Sequence, residues 1–403
     1  MSLNETVSAE RLHIAFFGKR NVGKSSLVNA VTGQRLAVVS PVKGTTTDPV
    51  QKAMELLPLG PVVIIDTPGY DDEGELGALR VEKTNHVLSK TDLAVLVYDA
   101  AQGLSPEDEA LLERLRERKL PVVLAANKCD LASAGAANGR PPAGEAPMHV
   151  SALTGEGVQE LKERLAAMGR TAREPKYILA DLVSPGDSVI LVIPIDESAP
   201  KGRLILPQQQ TLRELLDLHC VPICCQTEEL PSLLERLRTP PRLVVTDSQA
   251  FGRVSPLVPV SIPLTSFSIL FARYKGQLSF LAAGAKALTR LKDGDRVLIS
   301  EGCTHHRQCN DIGSVKIPGW VRRYTGKELE FSFSSGGEFP EELSGFALVI
   351  HCGGCMLNEA AMRHRIQIAR ACGVPMVNYG MAIAQIHGIL DRSLEPFAKE
   401  LSD

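Results

Sequence analysis

Three cysteines stand in two short segments that can do metal chemistry, Gly302-Cys303-Thr304-His305-His306 and His351-Cys352-Gly353-Gly354-Cys355. The Cys-x-x-Cys spacing lets Cys352 and Cys355 grip one metal or cluster from a single turn. Cys303, with His305 and His351, closes the site from a distance. Such a donor set suits Zn²⁺ in a closed tetrahedral Cys₃His site. It equally suits an iron–sulfur cluster held by three thiolates and one non-cysteine ligand. The spacing leaves both open, and leaves His305 and His351 as either ligands or hydrogen-bonding neighbours of the ligands.

A second chemistry lies near the N-terminus. Gly18-Lys19-Arg20-Asn21-Val22-Gly23-Lys24-Ser25 fits G-x-x-x-x-G-K-[ST]. Gly18 and Gly23 let backbone N–H groups wrap phosphates, Lys24 reaches the β- and γ-phosphates, and the Ser25 hydroxyl binds Mg²⁺. The helix that starts at Ser26 points its positive end at the same anion. Asp66-Thr67-Pro68-Gly69 supplies a carboxylate to the Mg²⁺ environment and an N–H, that of Gly69, near the γ-phosphate. In Asn127-Lys128-Cys129-Asp130 a carboxylate can accept from N1–H and N2–H₂ of guanine. Adenine offers no such donor pair, so GTP is selected. Ser151-Ala152-Leu153 places backbone N–H groups against guanine O6. Within Gly44-Thr45-Thr46-Thr47-Asp48, Thr46 is expected to bind Mg²⁺ and sense the γ-phosphate.

These residues need a scaffold. Apolar runs at Leu12–Phe17, Val62–Ile65 and Pro121–Ala126 each lead into a motif, and Leu93–Tyr98 is a further strand, as in a P-loop domain. The middle of the chain alternates strands (Val189–Ile193, Val221–Cys225, Leu243–Thr246, Val258–Ile262) with helices (Gln209–Leu218 capped by Thr211, Thr227–Leu237, Ser248–Val254). That rhythm predicts a parallel sheet, and parallel sheets need both faces covered. The few short helices there cover only one, so a second copy of the chain is expected against the other face or an edge. Cys224 and Cys225 are adjacent, so a strand turns them to opposite sides. They read, with Cys220, as buried structural thiols, and Cys372 as a buried thiol at a helix end. The last segment forms a third small α/β unit. Strands at Arg296–Ser300 and Phe346–Ile350 lead into the two cysteine segments. The fold class is therefore α/β with three domains: a P-loop domain over 1–170, a small parallel dimerisation domain over 171–264, and a third domain over 265–403 that carries the metal or cluster site.

The composition narrows the classes. Of 403 residues, 44% are hydrophobic and 23% charged, ordinary for a globular protein. A formal net charge of -3 and 4% aromatics argue against nucleic-acid binding through a basic or stacking surface. No apolar run is long enough for a membrane span, and the N-terminus lacks a signal-peptide pattern. A cytoplasmic chain is expected, in which nine cysteines serve as metal ligands or buried thiols rather than disulfides.

The five nucleotide motifs, in order, resemble the TrmE–Era superfamily of GTPases over residues 12 to about 168. The resemblance implies that Asn21, at the position where potassium-activated members place an asparagine, ligates K⁺ beside the β–γ bridge. Tyr70 stands where Ras-like proteins carry a water-orienting glutamine, which implies slow intrinsic hydrolysis. Cys-x-His, then about 45 residues, then His-Cys-x-x-Cys behind such a GTPase is similar to the HydF family, the maturation GTPases of FeFe-hydrogenase. That resemblance spans essentially the whole chain. It implies a 4Fe–4S cluster on Cys303, Cys352 and Cys355, and a carrier that delivers the two-iron precursor to apo-hydrogenase. It also implies a homodimer formed through the middle domain and radical-SAM maturases as partners. Asp311, His305, Asn310, Cys309, water or the cargo remain as occupants of the fourth iron position. The rival reading is a ribosome- or tRNA-associated GTPase with a structural zinc site; a redox-sensing GTPase is a third.

Overall fold

The computed structural model describes residues 10–34, 49–69, 84–131, 146–171, 176–195, 204–302, 311–336 and 338–402. The chain forms two compact units, one built on Met1–Pro175 and one on Lys176–Leu357 and Met362–Asp403.

The first unit holds a six-stranded sheet. β1 (Leu12–Phe17), β3 (Gly60–Asp66), β4 (Leu93–Asp99), β5 (Val122–Asn127) and β6 (Met148–His149) run parallel; β2 (Val50–Leu56) pairs antiparallel with β3, in the order β2-β3-β1-β4-β5-β6. β1, β4 and β5 are buried along their whole length, which is why their sequences are continuous apolar runs. The register Phe16↔Asp66 sets the end of β3 beside the start of the loop after β1. β2 is the sheet edge and mostly exposed, and its sequence VQKAMEL carries no strand periodicity.

The second unit contains two four-stranded parallel sheets. β7 (Ser188–Val192), β8 (Val221–Cys225), β9 (Leu243–Thr246) and β10 (Leu264–Ser266) lie in the order β10-β9-β7-β8. β11 (Arg296–Ser300), β12 (Glu330–Ser334), β13 (Leu348–His351) and β14 (Met376–Asn378) lie in the order β12-β11-β13-β14. Both sheets contribute to one continuous apolar core. The helix Leu278–Ala285 approaches β14 so closely that a Cβ on Gly284 would sit 1.9 Å from the Met376 carbonyl oxygen; only glycine fits.

Several expectations need correction. The strand expected at Val258–Ile262 is absent; Leu264–Ser266 takes its place, because Pro259 and Pro263 interrupt the apolar run. The helix expected to start under a Thr211 cap begins earlier, at Leu206. Gln208 Oε1 accepts from the Ile205 N–H at 3.0 Å, while Thr211 is buried inside the helix. Cys224 is exposed on β8, the edge strand, whereas Cys220 and Cys225 are buried as expected. Cys372 is half-buried. A helix runs over Ile317–Thr325.

Candidate functional site

The P-loop follows β1. Asn21 sits in the left-handed region at φ 60° and is exposed. A Cβ on Gly18 would stand 2.2 Å from the Val97 carbonyl oxygen, and one on Gly23 would stand 2.3 Å from Asn127 Nδ2. Both glycines are thus required by close approach. Lys24 is 7% exposed and its Nζ donates to the carbonyls of Gly18 and Lys19, each at 2.6 Å. The ammonium is therefore held inside the curve of the loop. Ser25 and Ser26 lie in the first turn of the helix Lys24–Thr32.

The Ser25 hydroxyl donates to Asp66 Oδ2 at 2.6 Å. Asp66 is 1% exposed, and its Oδ1 has no hydrogen-bond partner. Burial pushes its carboxyl pKa up, against the pull of Ser25 and of the Lys24 charge. A buried carboxylate oxygen left open next to a hydroxyl fits Mg²⁺, the cation a P-loop GTPase employs. Thr67 Oγ1 donates to the Phe16 carbonyl at 2.7 Å, pinning the segment that carries Gly69 to β1.

On the base side, Asn127 is 1% exposed and bonds at both ends. Nδ2 donates to the Val22 carbonyl at 2.8 Å, and Oδ1 accepts from the Ala152 N–H at 3.0 Å. Asn127 thus ties three motifs together. Lys128 Nζ pairs with Asp99 Oδ2 at 2.8 Å. Asp130 is exposed and accepts from the buried Ser151 hydroxyl at 2.5 Å. Thr46 and Tyr70 lie outside the described residues.

The cysteine segments follow β11 and β13, neighbouring strands with Ser300 opposite His351. Gly302, which immediately precedes Cys303 in sequence, donates its N–H to Cys352 Sγ at 3.0 Å. Gly354 donates a second N–H to the same sulfur at 3.3 Å. Burial raises the Cys352 thiol pKa, and these two donors oppose it. Cys355 is half-buried on the same turn. Cys303, His305, Cys309 and Asn310 lie outside the described residues, and no three His, Cys, Asp or Glu side chains among the described residues converge as a metal site.

His351 is fully buried. Its Nδ1 donates to the Cys352 carbonyl at 2.6 Å and its Nε2 accepts from Arg365 Nη1 at 2.7 Å. Burial, then the Arg365 charge, holds its pKa down to about 3, so the ring is neutral. Both nitrogens are engaged, and His351 supports the cysteine loop. Asp311 caps the turn before the helix Ile317–Thr325, its Oδ2 accepting the Ser314 N–H and hydroxyl at 2.8 Å each.

The sequence reading missed two basic residues. Lys275, 8% exposed, donates from Nζ to the carbonyls of Gly354 and, at 2.9 Å, Leu357. Arg365, 4% exposed, donates to His351, to Ser300 Oγ at 3.3 Å and to the Gly336 carbonyl. A cysteine turn with two N–H groups aimed at one sulfur and two buried cations beside it suits a bound group of negative charge. A thiolate-held iron–sulfur cluster is such a group.

Residues 279–396 match the model described as the hydrogen maturase F tetramerization domain and residues 178–276 that of the hydrogen maturase F dimerization domain. Residues 13–128 match the model described as a 50S ribosome-binding GTPase. Among curated proteins, the tRNA modification GTPase MnmE of Ralstonia nicotianae is 38% identical over 164 residues, 39% of this chain and 34% of that protein. MnmE of Chromobacterium violaceum is 39% identical over 160 residues, 40% of this chain and 35% of that protein. The chain thus spans about a third of the length of these relatives. Among solved structures, Era of Aquifex aeolicus bound to GDP and aluminium fluoride aligns with TM-score 0.34 and 20% identity, over 55% of this chain and 97% of that one. The two four-stranded parallel sheets fall within the two hydrogen maturase F segments. Among the described residues, no helix is long and apolar enough to cross a membrane.

Proposed function

The chain belongs to the hydrogen maturase F family, and from that premise we propose that it is a GTP-hydrolysing carrier of a 4Fe–4S cluster. Its cargo is the two-iron precursor delivered to apo FeFe-hydrogenase. That it is a hydrogenase maturase with a P-loop GTPase domain follows from the family; cluster binding and delivery are the proposal.

The observation that carries it is the hydrogen bond from Gly302 to Cys352 Sγ. It brings the residue next to Cys303 against the first cysteine of the Cys352–Cys355 turn, as one shared site requires. Cys303, Cys352 and Cys355 would hold the cluster, whose fourth iron keeps a position for exchangeable binding. Gly302 and Gly354 hold Cys352 Sγ by hydrogen bonds, and His351 orients the Cys352 carbonyl. Lys275 fixes the carbonyls of Gly354 and Leu357, on either side of Cys355.

On the GTPase side, Lys24 and the loop N–H groups bind the phosphates, and Ser25, Asp66 and Thr46 would hold Mg²⁺, which supplies charge neutralisation at the γ-phosphate. Asp130, Ser151 and Ala152 read guanine, with Asn127 and Lys128 holding that side of the site. Asn21 would ligate an activating K⁺. The three segments 1–170, 171–264 and 265–403 are proposed as GTPase, dimerisation and cluster-carrying parts. The dimerization and tetramerization domains imply an oligomer; a homodimer through the β8 edge, and radical-SAM maturases as partners, are part of the proposal.

Anaerobic reconstitution tests the reading. The protein is expected to turn brown and to carry iron and sulfide, and Ser in place of Cys303, Cys352 or Cys355 is expected to abolish both together with maturation. Stoichiometric zinc without iron would overturn it in favour of a ribosome- or tRNA-associated GTPase with a structural zinc site.

A further inference from the structure

We propose that Arg365 is the positioning residue of the cysteine site: it compensates the negative charge of the thiolate-held centre and, through His351, fixes the loop that carries Cys352. The proposal rests on the iron–sulfur reading above and assigns a role to a residue outside the cysteine motif.

The guanidinium is 4% exposed on the helix Glu359–Ala371. Its partners are the Ser300 hydroxyl, the His351 ring, the Gly336 carbonyl and the face of Phe339, whose centroid lies 5.1 Å from Cζ. Among the described residues these partners include no anion. A buried cation without counter-charge is strongly disfavoured, so its retention points to a negative group that completes the site. Its partner His351 directly precedes Cys352 and bonds the Cys352 carbonyl, which sets the guanidinium one side chain away from the cysteine turn. Three thiolates around a 4Fe–4S core leave a net negative charge that grows on reduction, and a nearby cation favours the reduced form.

The second half of the role is geometric. A guanidinium only donates, so His351 Nε2 must accept and the ring proton must sit on Nδ1. That proton is donated to the Cys352 carbonyl at 2.6 Å. Arg365 thereby selects the tautomer that orients the backbone of a cysteine ligand, as partners of metal-site histidines do.

The test uses the full chain, reconstituted anaerobically, as wild type, R365K and R365Q. Iron and sulfide content, the midpoint potential by EPR-monitored titration, and iron release to a chelator are measured, with melting of the apo forms as the check on folding. R365Q is expected to shift the potential to more negative values and to release iron about 10- to 100-fold faster. R365K keeps the charge but loses the fork that reaches His351 and Ser300 from Nη1 and the Gly336 carbonyl from Nη2, so its potential stays near wild type while iron release is faster. A fully loaded R365Q with wild-type potential and release overturns the proposal. So does an equal potential shift in R365K and R365Q, which would leave no role for charge. If R365Q holds no cluster, iron release from R365K decides: faster release than wild type supports the role, and wild-type release overturns it. Absence of iron from the wild type overturns the underlying cluster reading, and the proposal with it, and is told apart by needing no variant.

Discussion

Ser25 and Asp66, 41 positions apart, meet in a hydrogen bond of 2.6 Å that leaves the other carboxylate oxygen of Asp66 buried without a partner. Burial already disfavours the charged form of this carboxyl. Asp66→Asn is therefore expected to leave the melting temperature of the apo protein unchanged or raise it. GTP hydrolysis should fall by about 10²-fold, the scale of losing a group that stabilises transition-state charge. Phosphate release across a Mg²⁺ titration, beside thermal melts, checks both halves.

Asn127 and Asp130 belong to one motif but predict different phenotypes. Asn127→Ala strands the Val22 carbonyl and the Ala152 N–H, each costing about 1–3 kcal/mol where buried. Lower stability and weaker GTP binding are expected together. Asp130 is exposed, so Asp130→Asn should leave stability unchanged and lose guanine selectivity. Retained discrimination against xanthine nucleotides would contradict that assignment.

Asn21, as the proposed K⁺ ligand, makes hydrolysis cation-dependent. Replacing K⁺ by Na⁺ should slow phosphate release by the wild type and have little effect on Asn21→Ala. Equal rates of the wild type in both salts would remove K⁺ from the mechanism.

Lys275 holds the backbone on both sides of Cys355. Lys275→Met keeps the length of the side chain and removes the donors. Iron content after reconstitution should drop severalfold, while GTP hydrolysis continues. Metal analysis and phosphate release on the same preparation separate the two.

β8 is an edge strand with Val221 52% exposed and Cys224 exposed. Such an edge offers backbone groups for pairing with another chain. Val221→Lys is expected to lower the oligomeric mass seen by light scattering and to spare GTP hydrolysis. An unchanged mass would move the interface elsewhere.

The P-loop, Asp66–Gly69 and Asn127–Asp130 were legible because each follows a buried strand whose apolar run marks it. β2 was not, since an exposed edge strand has no apolar face to display. The pairing of the two cysteine segments was readable from their spacing, but the support around them was not. A single Lys or Arg ordinarily reads as a solvated face. One signal for Arg365 was available: it falls in the stripe Met362, Ile366 and Ala369, all buried, at helical spacing. A charge within an apolar stripe marks a buried partner. Lys275, at the end of the helix Phe267–Tyr274, carried no comparable mark.

The tie between Gly302 and Cys352 spans 50 positions and joins two parallel strands that cannot pair until the chain between them has been made. During synthesis the N-terminal part of a chain generally folds first. The GTPase sheet, complete by His149, can therefore take up nucleotide on a nascent chain, long before Cys352 and Cys355 leave the ribosome. On the proposed function, loading of the cysteine site is then the later event, and the chain is competent for nucleotide before it is competent for the cluster.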